Sequence, residues 1–206
     1  MKIYMIRHAQ STTNGSHTWT GQTDVPLSET GRNELLDTAA RYTYPHGDIY
    51  FSSPLLRCTQ TLDIIYHREA DILIPEFKEC SLGILEGKPY TNLNDDPHYL
   101  AWINDPDKPI PEGESFNAFK ERAARGFLKM LSLAAMGNAD TAVAVMHGNV
   151  IRAILHRFAD PAIPHDEWKI PNGGAYCLNV PCGRQAAAAW SAEPGFLFGG
   201  QREAAR

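Results

Sequence analysis

The sequence predicts an α/β protein, a three-layer α/β/α sandwich around a mostly parallel central sheet, and three observations carry that prediction. Short apolar runs of strand length alternate with longer stretches of helical periodicity. Thr141–Met146 is a continuous apolar run, as expected of a strand covered on both faces. Three of the predicted strands break abruptly into Arg7-His8, Ser52-Ser53-Pro54 and His147-Gly148. In open α/β sheets ligands sit beyond the carboxyl ends of the strands, so these breaks should converge on one rim.

Lys2–Ile6 is the first strand, short, mostly apolar and stopped by Arg7-His8. Ser28 stands as N-cap of a helix over Ser28–Thr43, in which Leu35, Leu36, Ala39 and Ala40 fall at helical spacing. Asp48–Phe51 follows as a second strand, and Leu55–His67 carries Leu55, Leu62, Ile65 and Tyr66 on one helical face. Asp71–Ile74 reads as a third strand and the Gly-interrupted Glu76–Pro89 as loop. Pro97, Pro106, Pro109 and Pro111 limit Asn92–Pro111 to a turn around Tyr99–Ile103.

Phe116, Phe119, Ala123, Phe127, Met130 and Leu131 give a long helix over Glu114–Ala135, ended near Gly137-Asn138. Thr141–Met146 and Val150–Phe158 are then strand and helix on either side of His147-Gly148. Ala175–Val180 and Ala186–Trp190 form a closing hairpin, and Glu193–Arg206 is a frayed tail. With about 100–200 residues typical of a domain, the 206 residues are expected to form a single domain, 1–206, with a lid-like insertion at about 89–111.

Composition narrows the function. Nineteen Lys and Arg against 24 Asp and Glu give a net charge of −5, which argues against a nucleic-acid-backbone binder. An anionic ligand would therefore be held by a few local cations. No apolar run approaches the roughly 20 residues of a membrane span. Cys58, Cys80, Cys177 and Cys182 show no CxxC pair or ligand spacing, and the amino terminus has no signal-peptide pattern, which points to the cytoplasm.

Two histidines (His8, His147) and two arginines (Arg7, Arg57) follow predicted strands, and that grouping predicts a phosphate site. The planar guanidinium fork matches phosphate oxygens with paired charge-assisted hydrogen bonds. Gly148 at a helix start adds backbone donors and the positive end of the helix dipole.

The strings themselves resemble a family. Arg7-His8-Ala9-Gln10-Ser11-Thr12-Thr13-Asn14 is similar to the Arg-His-Gly motif of the histidine phosphatase superfamily, which includes the cofactor-dependent phosphoglycerate mutases. Gly21–Gly31, Ser53–Thr61, Glu79 with Leu85-Glu86-Gly87, Gly113-Glu114-Ser115 and His147–Arg152 resemble its further blocks, in the family's order. The likeness spans residues 1 to about 180 and is closest to the compact bacterial branch that includes α-ribazole phosphatase. It implies a phosphoglycerate mutase-like fold and a phosphomonoesterase for a small phosphorylated metabolite, with no cofactor and no metal.

By that resemblance His8 is the nucleophile, Arg7, Arg57 and His147 are the surrounding cations, and Glu79 is the general acid. Asn14, Thr20, Gly21, Gly148 and Asn149 complete the expected phosphate and substrate contacts. Glu76 and Glu86 lie close to Glu79 in sequence and compete for its role. Phosphoglycerate mutase-type transfer is the alternative activity, and a non-catalytic phospho-ligand binder a third. Only 26 positions separate Gly87 from Gly113, little room for the longer cleft cover of true mutases, which must keep water from the phosphoenzyme.

Ala9 stands where the family most often has Gly, and Met146 where many relatives have Ser. His17, His46, His67, His98, His156 and His165 are expected to be surface or capping histidines, and Cys58 and Cys80 buried packing thiols. Trp19 and Trp102 are the aromatic residues expected over the cleft. Nothing in the sequence requires an oligomer, a nucleic acid or a membrane.

Overall fold

The computed structural model describes residues 1–16, 18–89, 95–181 and 191–195. Its strands are β1 (Lys2–Arg7), β2 (Ile49–Ser52), β3 (Ile72–Leu73), β4 (Thr141–Met146), β5 (Ala175–Asn179) and β6 (Ser191–Gly195). The helices are α1 (Thr12–Gly15), α2 (Glu29–Arg41), α3 (Leu56–Tyr66), α4 (Pro97–Asn104), α5 (Phe116–Met136) and α6 (Gly148–Phe158). One sheet holds the strands in the order β3-β2-β4-β1-β5-β6. The first four of these run parallel, and β5 and β6 are antiparallel additions at the edge.

Two cores, one on each face of the sheet, make the three layers. Alternation along β4 sends Ala142, Ala144 and Met146 into a cluster with Phe119, Phe127 and Met130 of α5 and Val150, Ile151 and Ile154 of α6. Val143 and Val145 go to the other cluster, with Leu35 of α2 and Cys58, Leu62 and Ile64 of α3. The apolar run of β4 is thus explained: a strand buried on both faces has no solvent side on which to place polar residues.

The caps follow the sequence. Ser28 Oγ accepts from Gly31 N at 2.9 Å and starts α2, and Ser115 Oγ accepts from Ala118 N at 3.1 Å and starts α5. Two helices exceed the expectation. α1 is nucleated by a capping box between Ser11 and Asn14. α4 runs for eight residues where only a turn was expected, because Asp96 caps it and Pro97 occupies its first turn, where a missing N–H costs nothing.

At the carboxyl end, Glu193–Gly195 is not frayed but paired in β6 against β5. The expected strand Ala186–Trp190, the rest of the tail and Tyr90–Asn94 of the insertion lie outside the described residues. Among the described residues, no helix is long and apolar enough to cross a membrane.

Candidate active site

Register brings the chemistry to one level. Arg7 pairs with Met146 across β1 and β4, and Ser52 with Val145 across β2 and β4, so the residues that follow leave the sheet side by side. The His8 N–H donates to Met146 O at 2.9 Å and the Ser53 N–H to Val145 O at 2.9 Å, carrying the ladder one step beyond the strands.

His8 is 5% exposed, and its Nδ1 lies 2.6 Å from the carbonyl oxygen of Ala9. A carbonyl can only accept, so Nδ1 carries the ring proton and Nε2 keeps its lone pair. Burial and the Arg57 guanidinium, then Arg7, push the imidazole down from 6.5 to about 3 against the opposing pull of the Ala9 carbonyl. The backbone is fixed by Ala9 N–H donating to Thr61 Oγ1 at 3.0 Å and by Asn172 Nδ2 donating to His8 O at 2.9 Å. Ala9 needs no positive φ, so the family's glycine is dispensable here.

Arg57, on the first turn of α3, is 2% exposed and spends three donors on the protein. Nη2 donates to Gly21 O at 2.7 Å, Nη1 to Thr23 O at 3.0 Å and Nε to His147 Nδ1 at 3.3 Å. The loop supplying these carbonyls is itself tied down. Glu86 accepts from the backbone N–H groups of Gln22 and Thr23, and Asp24 Oδ1 accepts from Leu56 N at 2.7 Å at the start of α3. Gly21 has to be glycine, since a Cβ there would overlap the Cys80 carbonyl oxygen.

His147 is fully buried behind this layer and takes both ring nitrogens inward. Nδ1 accepts from Arg57, which leaves Nε2–H to donate to Ser53 Oγ at 2.9 Å. Burial and then Arg57 hold its pKa well below 6.5, so His147 is a neutral strut and not the cation that the sequence predicts.

Glu79 approaches from the loop after β3. Its Oε1 accepts from Cys80 N at 2.9 Å and its Oε2 from Asn149 N at 3.4 Å. Burial raises its pKa above 4.5 against the pull of those amides and of Arg57 and Arg7. Arg7 donates from Nη1 to Ile170 O at 2.7 Å and lies along the start of α6, where a Cβ on Gly148 would stand 3.3 Å from Arg7 Nε. Gly148 thus admits the guanidinium to a helix N-terminus.

These groups line a cavity of about 320 Å³. Arg7, His8, Arg57, Glu79, Asn14, Gly148 and Asn149 form its polar end, and Trp19, Leu82, Trp102 and Phe116 its apolar wall. The wall is a chain of ring contacts, Trp19 to Tyr99 at 5.6 Å and Trp102 to Phe116 at 5.7 Å, with Tyr99 and Trp102 supplied by α4. Asn14 spends Oδ1 on the Ser11 N–H and hydroxyl, so its amide nitrogen is the end left for an anion.

A sequence profile of the histidine phosphatase superfamily (branch 1) matches residues 3–193. The chain belongs to that superfamily. A 2,3-bisphosphoglycerate-dependent phosphoglycerate mutase of Nitrobacter hamburgensis is 30% identical over 164 residues, 74% of this chain and 78% of the mutase. An adenosylcobalamin/alpha-ribazole phosphatase of Escherichia coli is 31% identical over 140 residues, 64% of this chain and 67% of that relative. The crystal structure of the alpha-ribazole phosphatase from Shigella flexneri shares the fold at a TM-score of 0.76 and 23% identity, covering 96% of each chain. Membership makes the protein an enzyme with phosphatase or phosphotransferase activity.

Of the residues predicted for this histidine phosphatase, Arg7, His8, Arg57, Glu79, Asn14, Thr20, Gly148 and Asn149 line one cavity. His147 and Gly21 stand directly behind it and hold Arg57, with the His147 ring edge-on to that of His8 at 5.1 Å. The competing carboxylates are engaged elsewhere, Glu76 with Lys129 and Glu86 with the 22–23 loop. His165 is a correction. Expected at the surface, it lines the cavity 5.0 Å from the Phe116 ring, beside Arg152, and burial lowers it to about 4. The loop it opens, His165–Gly174, is expected to contribute to specificity, but no spacing in sequence marks the histidine itself. Cys58 is wholly buried, its Sγ 3.5 Å from His147 Nε2, whereas Cys80 is buried yet contributes to the cavity lining.

Proposed function

We propose that the enzyme hydrolyses small phosphate monoesters through a covalent phosphohistidine on His8, without a metal ion. The observation that carries this reading is the Nδ1 contact with the Ala9 carbonyl, which gives a buried, neutral imidazole with Nε2 as its free nucleophilic atom. Arg7, Arg57, the Asn14 amide and the N-terminus of α6 grip the phosphoryl oxygens, where charge in the transition state is spread. Among the described residues no group of three or more His, Cys, Asp and Glu side chains is placed to hold a metal ion. On this reading the guanidinium groups of Arg7 and Arg57 supply the positive charge.

Nε2 forms a bond to phosphorus as the ester P–O bond breaks, and the leaving oxygen takes the proton of Glu79. The ring retains its Nδ1 proton throughout, held by the Ala9 carbonyl. Glu79, now a carboxylate, takes a proton from water as that water attacks phosphorus. The P–N bond then breaks, returning neutral His8 and protonated Glu79 and releasing inorganic phosphate. On this reading Tyr99 and Trp102 of α4 face the alcohol part of the ester.

Phosphoglycerate mutase-type transfer is a second reading, favoured by the identity to the Nitrobacter mutase. A mutase would need a bisphosphate primer and release no net phosphate. Assay of a phosphate-ester panel without metal, with rapid-quench trapping of label on the protein, separates the two. We expect phosphate release and an acid-labile, base-stable label, both absent in His8→Ala. Turnover undiminished in that variant would refute the nucleophile assignment.

A further inference from the structure

Glu79 sits in a stretch with little backbone architecture of its own. The last sheet-type bond before it is Ile74 N–H to Ser52 O at 2.9 Å, and a single 3-10 turn covers Pro75–Phe77. A general acid has to present its proton within hydrogen-bond reach of one oxygen, and loops are the least precise supports for such geometry. Something outside the stretch has to fix it.

Arg122, on the second turn of α5, does so with every N–H it has. Nη1 donates to Glu76 O at 2.7 Å and to Lys78 O at 2.8 Å, and Nη2 donates to Glu79 O at 3.0 Å. The remaining donors form a two-point fork to Glu114, from Nε to Oε2 at 3.1 Å and from Nη2 to Oε1 at 2.5 Å. Five donors meet five acceptors, and three of those acceptors are carbonyls of the Glu79 stretch. Glu114 closes the other side, accepting from Ser81 N at 2.8 Å while its own N–H donates to Ser81 O at 3.1 Å. Both side chains are 17% exposed, and the guanidinium lies over the Phe119 ring. Neither lines the cavity.

We infer that Arg122, oriented by Glu114, is the positioning residue for Glu79: it sets the place of the carboxyl relative to the leaving oxygen without contributing to the grip on phosphate. The inference rests on the reading of Glu79 as general acid. A lysine could supply charge but not a planar fork reaching three carbonyls and a carboxylate together.

The test compares kcat/KM for a simple alkyl phosphate and for p-nitrophenyl phosphate, whose leaving oxygen needs no proton. For Arg122→Lys we expect the alkyl value to fall about 10- to 100-fold, the scale of a misplaced catalytic group. The aryl value and the inhibition constant of inorganic phosphate should change less than about twofold. The alkaline limb of the alkyl pH profile should also shift. Equal losses on both esters, or none, would overturn the inference. Glu114→Gln, which keeps size and acceptor oxygen, is read by the same criteria and decides the matter where Arg122→Lys does not fold. Glu79→Gln is the control: if it shows no alkyl-against-aryl split, the reading of Glu79 as acid fails first, whereas a split there and none in Arg122→Lys removes the positioning role alone.

Discussion

His8 and Glu79 face the same cavity but are held in unlike ways. His8 is one residue beyond β1, and its backbone N–H extends the parallel ladder to β4, so the sheet itself fixes it. Glu79 belongs to a loop held by Arg122 of a distant helix and by Glu114 just before that helix. A register is cooperative, with many hydrogen bonds to be broken before one residue moves. A clamp depends on one or two side chains. Errors at the phosphoryl end should therefore abolish chemistry, while errors at the carboxylate end should be selective for the step that needs a proton.

The largest effect is expected from His8→Ala, which should lower kcat by about 10⁴-fold or more for every ester, since loss of a covalent nucleophile leaves only binding and electrostatic assistance. Steady-state kinetics with phosphate detection measures it. Glu79→Gln comes next, with a loss of about 10²- to 10⁴-fold on alkyl esters and far less on aryl esters. Since the raised pKa of Glu79 keeps its proton above 4.5, alkyl kcat/KM should decline as pH rises through that raised value. The decline should be missing in the Gln variant. If the two esters lose equally, the contrast between the two regions fails.

Gly21→Ala probes the place where the regions touch, since the loop holding Arg57 there abuts the Cys80 carbonyl next to Glu79. Overpacking against backbone should cost about 1–3 kcal/mol of stability. A denaturant midpoint reports that loss, and KM should rise as the Arg57 acceptor shifts. Stability against pH gives a signal independent of turnover. His8 has a depressed pKa in the folded chain, so between 6.5 and about 3 the unfolded chain binds more protons, and stability falls as pH falls through that window. His147 acts in the same direction. His8→Ala should flatten the slope of the urea midpoint over that window; a slope unchanged from the parent would contradict the depressed pKa.

Much of the phosphoryl end was legible because strand-end residues are marked by their neighbours. An apolar run breaking at Arg7-His8 or His147-Gly148 announces both the strand and the rim on which its successor lies. α4 is longer than the turn that its sequence predicts around Tyr99–Ile103, because Pro97, a breaker inside a helix, is a start in the first turn behind Asp96. Glu114 lies in the Gly113-Glu114-Ser115 block, but its partner Arg122 and the ring of His165 carried no local mark, since each meets segments that are far away in the chain.

By itself the sequence determined the layers, the strand ends and the types of group at them, because periodicity and abrupt polarity are local properties that burial enforces. Only the tertiary structure decided which way each group faces. It gave His147 both of its partners behind the cavity and made it neutral, left His8 a free Nε2, and bound the Glu79 loop to α5. Such choices depend on which donors and acceptors meet in space after burial has removed water as the alternative partner.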